Sequence, residues 1–167
     1  MAVVRRVRAD DAEALRALRL TALSSDPDAF GSTYERETAK PAEKWVVRAE
    51  SASDGPDEFI AVADADGRLV GMAGGYRPDE APEDRIFWGL WVAPETRGHG
   101  LGARLVRAVA TWAEQANAER LTLWVVTTNT PAVSLYRGLG FVETGRTQAL
   151  PSNPDLTEIE LTLPLAS

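Results

Sequence analysis

The chain contains no cysteine, a single histidine and only two lysines, Lys40 and Lys44. Without cysteine it forms no disulfide, offers no thiolate to a metal and cannot carry an acyl group on sulfur. His99 alone cannot make a two-histidine zinc site, and a Ser-His-Asp triad would have to use that one residue. No metal is expected. Long apolar runs are missing as well. Met1-Ala-Val-Val-Arg-Arg turns charged before a signal-length segment can form, and nowhere do about 18 apolar residues follow one another. The expectation is a cytoplasmic protein with no membrane partner. Net positive charge is also lacking: the balance is −7, with a pI near 4.8. That argues against a binder of nucleic-acid backbones.

What remains is an ordinary globular composition, 44% hydrophobic and 26% charged over 167 residues. It predicts one domain over 1–167 with enough core to stand without staples. No internal repeat is visible. Val3–Arg8 reads as a short strand. Asp10 with Glu13 resembles a capping box opening a helix through about Ser24, its stripe made by Leu15, Leu18 and Ala22. Residues 25–40 read as a loop carrying Phe30, Gly31, Tyr34 and Glu35, followed by a short helix from Pro41 to about Glu50. Glu58–Ala63 and Leu69–Tyr76 flank an Asp-Gly hairpin signal, and Arg85–Val92 is an aromatic-rich strand. From Gly100 to about Ala116, Leu101, Leu105, Val109 and Trp112 step at helical spacing. A buried strand at Leu121–Val126, a helix at Thr130–Leu139 and strands at Val142–Gln148 and Thr157–Leu163 complete a mixed α/β domain.

The chemistry is concentrated in Leu90-Trp-Val-Ala-Pro-Glu-Thr-Arg-Gly-His-Gly-Leu-Gly-Ala103. A strand runs into a glycine-rich turn that opens an amphipathic helix. Such a turn lets backbone amides converge, and the helix N-terminus adds partial positive charge, so phosphate oxygens fit there. A P-loop is excluded because both lysines lie far away. Gly98-x-Gly100-x-x-Ala103 formally matches a dinucleotide fingerprint. Two features oppose it: Ala93 to Arg97 is long for that tight turn, and the next strand ends in Thr127-Thr128 rather than an acid. Glu119 has about the right offset but precedes the strand.

Read as Arg97-x-x-Gly100-x-Gly102, the same residues resemble the acetyl-CoA loop of the GNAT family of N-acetyltransferases. Downstream, Asn129, Ala132, Tyr136 and Gly140-Phe141 are spaced like that family's second motif. Upstream, Leu90-x-Val92 and Pro94 look like its central strand. The similarity covers Val3 to Leu163. It implies a mostly antiparallel sheet of about seven strands with a parallel central pair, flanked by about four helices.

The resemblance implies acetyl-CoA as cofactor and a small-molecule amine as acceptor. The main chain of Leu90 and Val92 would hold the pantetheine arm, with the Leu90 amide facing the thioester carbonyl. The amides of Gly98, His99, Gly100, Leu101, Gly102 and Ala103 would grip the pyrophosphate, with charge from Arg97. Asn129, a helix cap by position, and Ala132 would also meet the cofactor. Tyr136 would protonate the departing thiolate, and without cysteine the amine would attack directly. Ile86 stands where several members carry a glutamate. Candidate bases are therefore Glu83 and Asp84 just before the strand, and Glu35. Phe30, Tyr34, Glu35 and Trp88 are candidates for the acceptor pocket, with Trp45 and Trp91 also available to line it. A non-catalytic acyl-CoA sensor, an acetyltransferase of proteins or peptides and a nicotinamide-dependent reductase stay open as alternatives, as does a homodimer.

Overall fold

Phe59–Ala63 are buried without a polar break, and the reason lies in what covers them. In the computed structural model, which describes residues 1–166, the elements follow in this order. The chain runs β1 (Val3–Arg6), α1 (Ala12–Ser25), α2 (Tyr34–Thr38), α3 (Ala42–Ser53), β2 (Glu58–Ala65), β3 (Arg68–Tyr76) and β4 (Asp84–Val92). It continues with α4 (Leu101–Gln115), β5 (Arg120–Val126), α5 (Thr130–Gly138), β6 (Val142–Leu150) and β7 (Asn153–Pro164). Helix α3 packs against β2, and so does α4. A strand covered on both faces has no reason to alternate.

Among the described residues seven strands form one sheet in the order β1-β2-β3-β4-β5-β7-β6, antiparallel except for the central pair β4 and β5. This is the sheet the family resemblance implies. Among the described residues the α-helices number five, in keeping with the about four expected, and the stretch 25–40 read as a loop holds one of them. That one, α2, is a short helix capped by Thr33, whose hydroxyl accepts the Arg36 N–H at 3.1 Å. A second correction concerns the start of α1. A 3-10 turn at Ala9–Asp11 precedes it, and the organising acid is Asp11 rather than Asp10 or Glu13. Asp11 Oδ2 accepts the Arg8 N–H at 2.7 Å, and both its oxygens receive the Arg5 guanidinium at 2.8 and 3.0 Å.

Two close approaches identify the faces of the sheet. A Cβ on Gly74 would lie 2.4 Å from the Trp88 ring, and one on Gly75 would lie 2.7 Å from Trp112 of α4. Trp88 therefore points toward α1–α3 and Trp112 lies on the opposite side. Helix α4 buries Leu101, Leu105, Val109 and Trp112 against that second side, the stripe read from the sequence. Truncating fully buried Leu105 to alanine costs about 2–5 kcal/mol at a site of this kind.

The sheet opens at its centre. The parallel ladder of β4 and β5 extends only from Asp84↔Arg120 to Ile86↔Thr122. Beyond it β5 keeps its register with β7 as far as Val126↔Glu158. Meanwhile Met72 pairs with Trp91 and Gly74 with Trp88, so β4 carries an extra residue at Gly89–Leu90. Gly89 adopts φ +73°, a conformation that favours glycine. Such a bulge bends its strand and leaves backbone groups out of the ladder.

Candidate active site

The bulge and the gap beside it lead into a cleft of about 440 Å³. Its wall is made by Leu90 and Val92 from β4, Gly98 to Ala103 around the start of α4 (His99 excepted), and Asn129 and Ala132 at the start of α5. The stretch from Leu90 to Ala103 and the start of α5, well apart in sequence, thus share one cleft. The first backbone hydrogen bond of α4 runs from the Arg104 N–H to the Gly100 carbonyl at 3.1 Å. Leu101, Gly102 and Ala103 therefore have amides without a helical acceptor. Gly100, at the N-cap, has no side chain to meet them. Both Gly98 and Gly100 hold positive φ, +84° and +79°, and a Cβ on either would meet nothing within 4 Å. Open space above uncapped amides and a helix dipole suits an anion.

Arg97 is fastened rather than free. Its Nε donates to the Val92 carbonyl at 2.8 Å and its Nη2 to Asp26 Oδ2 at 3.2 Å. The Trp91 indole donates to the same oxygen at 2.7 Å. Asn129 does cap α5, accepting the Ala132 N–H at 3.4 Å. Tyr136 is buried between Phe87 and Phe141, ring centroids 5.8 and 5.6 Å away, one turn beyond Ala132. Its hydroxyl takes part in no hydrogen bond among the described residues, yet is not one of the sealed, unpartnered polar atoms. Burial pushes the phenol well above its ordinary pKa. It stays protonated throughout the neutral range.

The other expected residues divide into separate groups. Phe30 and Trp88 come together around Arg19, whose guanidinium carbon lies 4.7 Å from one ring centroid and 5.3 Å from the other. Tyr34 and Glu35 lie apart from them, exposed beside Ser152 in a surface crevice. Trp45 packs beside Arg48, and Trp91 is engaged with Asp26. Glu83 is exposed just before β4, at the end where β4 and β5 are still paired. Leu90 lies seven residues further on, on the order of 20 Å at the rise of a strand. Asp84 is held in an ion pair with Arg120. Neither reaches the bulge. His99 is exposed, with Nδ1 3.4 Å from the Thr96 carbonyl.

Three functional candidates escaped the sequence reading. Asp26 joins the cleft to the loop before α2. Arg19 is one step along the stripe of Leu15, Leu18 and Ala22, and a charge on an apolar stripe was the available signal. Glu158, only 6% exposed, pairs with Val126 at the far end of β5. Alternation along the strands puts Glu158 and Glu160 on the Trp88 face, because Glu160 shares a crevice there with Ile86 and Thr122. Glu160 is occupied by Thr144 and Arg146, whereas Glu158 receives only the Gln148 amide. Burial raises the Glu158 pKa, with the Gln148 hydrogen bond opposing it.

A model of the Acetyltransferase (GNAT) family matches residues 19–141. The chain belongs to the GNAT acetyltransferase family. Streptothricin acetyltransferase of Streptomyces lavendulae is 32% identical over 165 residues, covering 87% of this chain and 84% of that protein. Mycothiol acetyltransferase of Arthrobacter sp. (strain FB24) is 31% identical over 139 residues, or 78% of this chain. The chain spans 39% of the length of that relative. Among solved structures, yncA from Salmonella typhimurium with its cofactor acetyl-CoA superimposes with a TM-score of 0.82 at 16% identity, covering 100% of this chain and 95% of that one. At that identity the likeness is one of fold. GNAT acetyltransferases use acetyl-CoA, and the uncapped amides, the positive-φ glycines and the open gap beside Leu90 fit its diphosphate and its amide-bearing arm. No helix among the described residues is long and apolar enough to cross a membrane. No cluster of three or more histidines and carboxylates among them could hold a metal ion.

Proposed function

We propose that this domain transfers an acetyl group from acetyl-CoA directly to a primary amine of a small acceptor. The observation that carries the reading is the convergence of Leu90, the α4 amides and Asn129 on one cleft that opens where β4 leaves β5. When bound, acetyl-CoA supplies an acetyl group activated as a thioester. The amide of Leu90, at the bulge, donates to the carbonyl oxygen as negative charge grows there. In a balanced reaction the amine nitrogen gains the acetyl carbon and loses one proton, while the departing sulfur gains one.

Tyr136 supports the sulfur. Its raised pKa makes it a weak acid toward a thiolate, whose ordinary pKa is about 8.5. It therefore stabilises the departing sulfur by donating a hydrogen bond and keeps its own proton, while the proton released by the amine balances the one the thiolate takes up from solvent. Glu158 is the buried carboxylate on the acceptor face, and its raised pKa brings a base nearer to neutral pH. The names of the relatives, streptothricin acetyltransferase among them, support an acetyl acceptor of low molecular weight.

Mass spectrometry of a panel of amines incubated with the protein and acetyl-CoA tests the reading. Acetylated amine together with free coenzyme A is the expected product. Coenzyme A release with no acetylated amine, or no binding at millimolar acetyl-CoA, overturns it.

A further inference from the structure

A second cavity, about 290 Å³, lies on the α1–α3 face of the sheet. Two arginines line it, in a chain whose net charge is −7. Arg19, from α1, is 5% exposed. Its guanidinium lies against Phe30 and Trp88, and that of Arg48, from α3, against Trp45 and Trp88 at 4.6 and 5.5 Å. Aromatic rings thus cover guanidinium faces and leave the N–H edges for other partners. Those edges are empty: Arg19 Nε and Nη1 and Arg48 Nη1 are buried with no hydrogen-bond partner. Glu37 does not satisfy them. It approaches Arg19 Nη2 at 3.7 Å and is held by Lys40 at 2.6 Å. Burial pulls the Arg19 pKa down to about 10, with Glu37 opposing and Arg48 reinforcing the shift. The cation is retained at neutral pH, incompletely compensated.

The location gives the cavity a use. Arg19 Nη1 lies 3.6 Å from where a Cβ would stand on Gly89, the residue adjoining Leu90 in the bulge. We infer that Arg19 and Arg48 form the acceptor subsite, which takes the carboxylate of an amino acid whose amine is turned toward Leu90. The inference rests on the acetyl-transfer reading and adds the acceptor's chemical class. Unpaired guanidinium edges match a carboxylate in two-point geometry, and buried donors left empty select against an acceptor that lacks it. Trp88 forms the wall between the two cations, so Gly74 beneath it has a reason to be glycine.

The test uses matched pairs differing by one carboxylate: alanine against ethylamine, and phenylalanine against phenethylamine. Calorimetric titrations of the full chain are run with and without coenzyme A. The carboxylated member of at least one pair binds at least about tenfold more tightly, and Arg48→Gln removes most of that preference while the acetyl-CoA Kd stays put. Arg19→Gln is the stronger variant; should it fail to fold, half-buried Arg48 still decides. Equal affinity within both pairs overturns the subsite, as does a preference that survives Arg48→Gln. A lowered Tm with the preference intact shows that the arginines only hold the fold. Loss of acetyl-CoA binding in the wild type would sink the transfer reading alone, because the titrations without coenzyme A still report on the cavity.

Discussion

The Trp91 indole N–H donates to Asp26 Oδ2 at 2.7 Å, linking the end of β4 to the loop that follows α1. Arg97 reaches the same oxygen from the glycine-rich turn. One carboxylate thus holds both sides of the cleft mouth. In Asp26→Ala the 5% exposed indole of Trp91 loses its acceptor, at a cost of about 1–3 kcal/mol in stability. Arg97 is released, and acetyl-CoA binding weakens up to about tenfold, ~1.4 kcal/mol. Chemical denaturation and calorimetry read the two effects separately. A lower stability with unchanged cofactor affinity would confine Asp26 to a structural role.

Gly100 meets no neighbour within 4 Å and holds φ +79°. Gly100→Val therefore clashes with nothing in the protein but forces a β-branched residue into the left-handed region, roughly 1–2 kcal/mol. The fold survives by circular dichroism, and acetyl-CoA binding is lost because the branched side chain fills the space above the amides. Retained affinity would contradict the loop assignment.

Tyr136→Phe removes one hydroxyl from a ring that keeps its contacts with Phe87 and Phe141. It should lower kcat by about 10–10³-fold and leave the acetyl-CoA Kd near the wild-type value. Since burial raises the phenol pKa, no alkaline loss of activity from its ionisation should appear up to about pH 10 in the wild type. Unchanged turnover in the variant would remove Tyr136 from the reaction.

Glu158 acts as base only when ionised, and burial raises its pKa. The kcat/KM of the wild type therefore falls, as pH is lowered, at a higher pH than an ordinary carboxylate near 4.5 would produce. Glu158→Gln abolishes that acidic limb and lowers the plateau by about 10²-fold. A variant that keeps the limb shows that another group takes the proton.

The turn and helix start that line the proposed cofactor cleft were legible in the sequence because they are matters of backbone. Gly98, Gly100 and Gly102, followed by an amphipathic stripe, specify a turn and a helix start, and those specify the amides. The acceptor half was not legible. Glu83 was a candidate by nearness in sequence to the central strand, but the strand's own length carries it away from Leu90. Arg19, Arg48 and Trp88 come from α1, α3 and β4, and only packing brings their side chains together. Glu158 depended on strand register: β7 lies beside β5, so its acid ends up at the level of Val126. Helix α2 escaped because five residues are too few to show a period.

A crystal structure of the chain with coenzyme A tests the central claim most directly. The account predicts diphosphate oxygens within about 2.7–3.2 Å of the Leu101, Gly102 and Ala103 nitrogens, with the arm of the molecule running between β4 and β5 past Leu90. Those three amides left bare, with the nucleotide seated elsewhere on the protein, would contradict it.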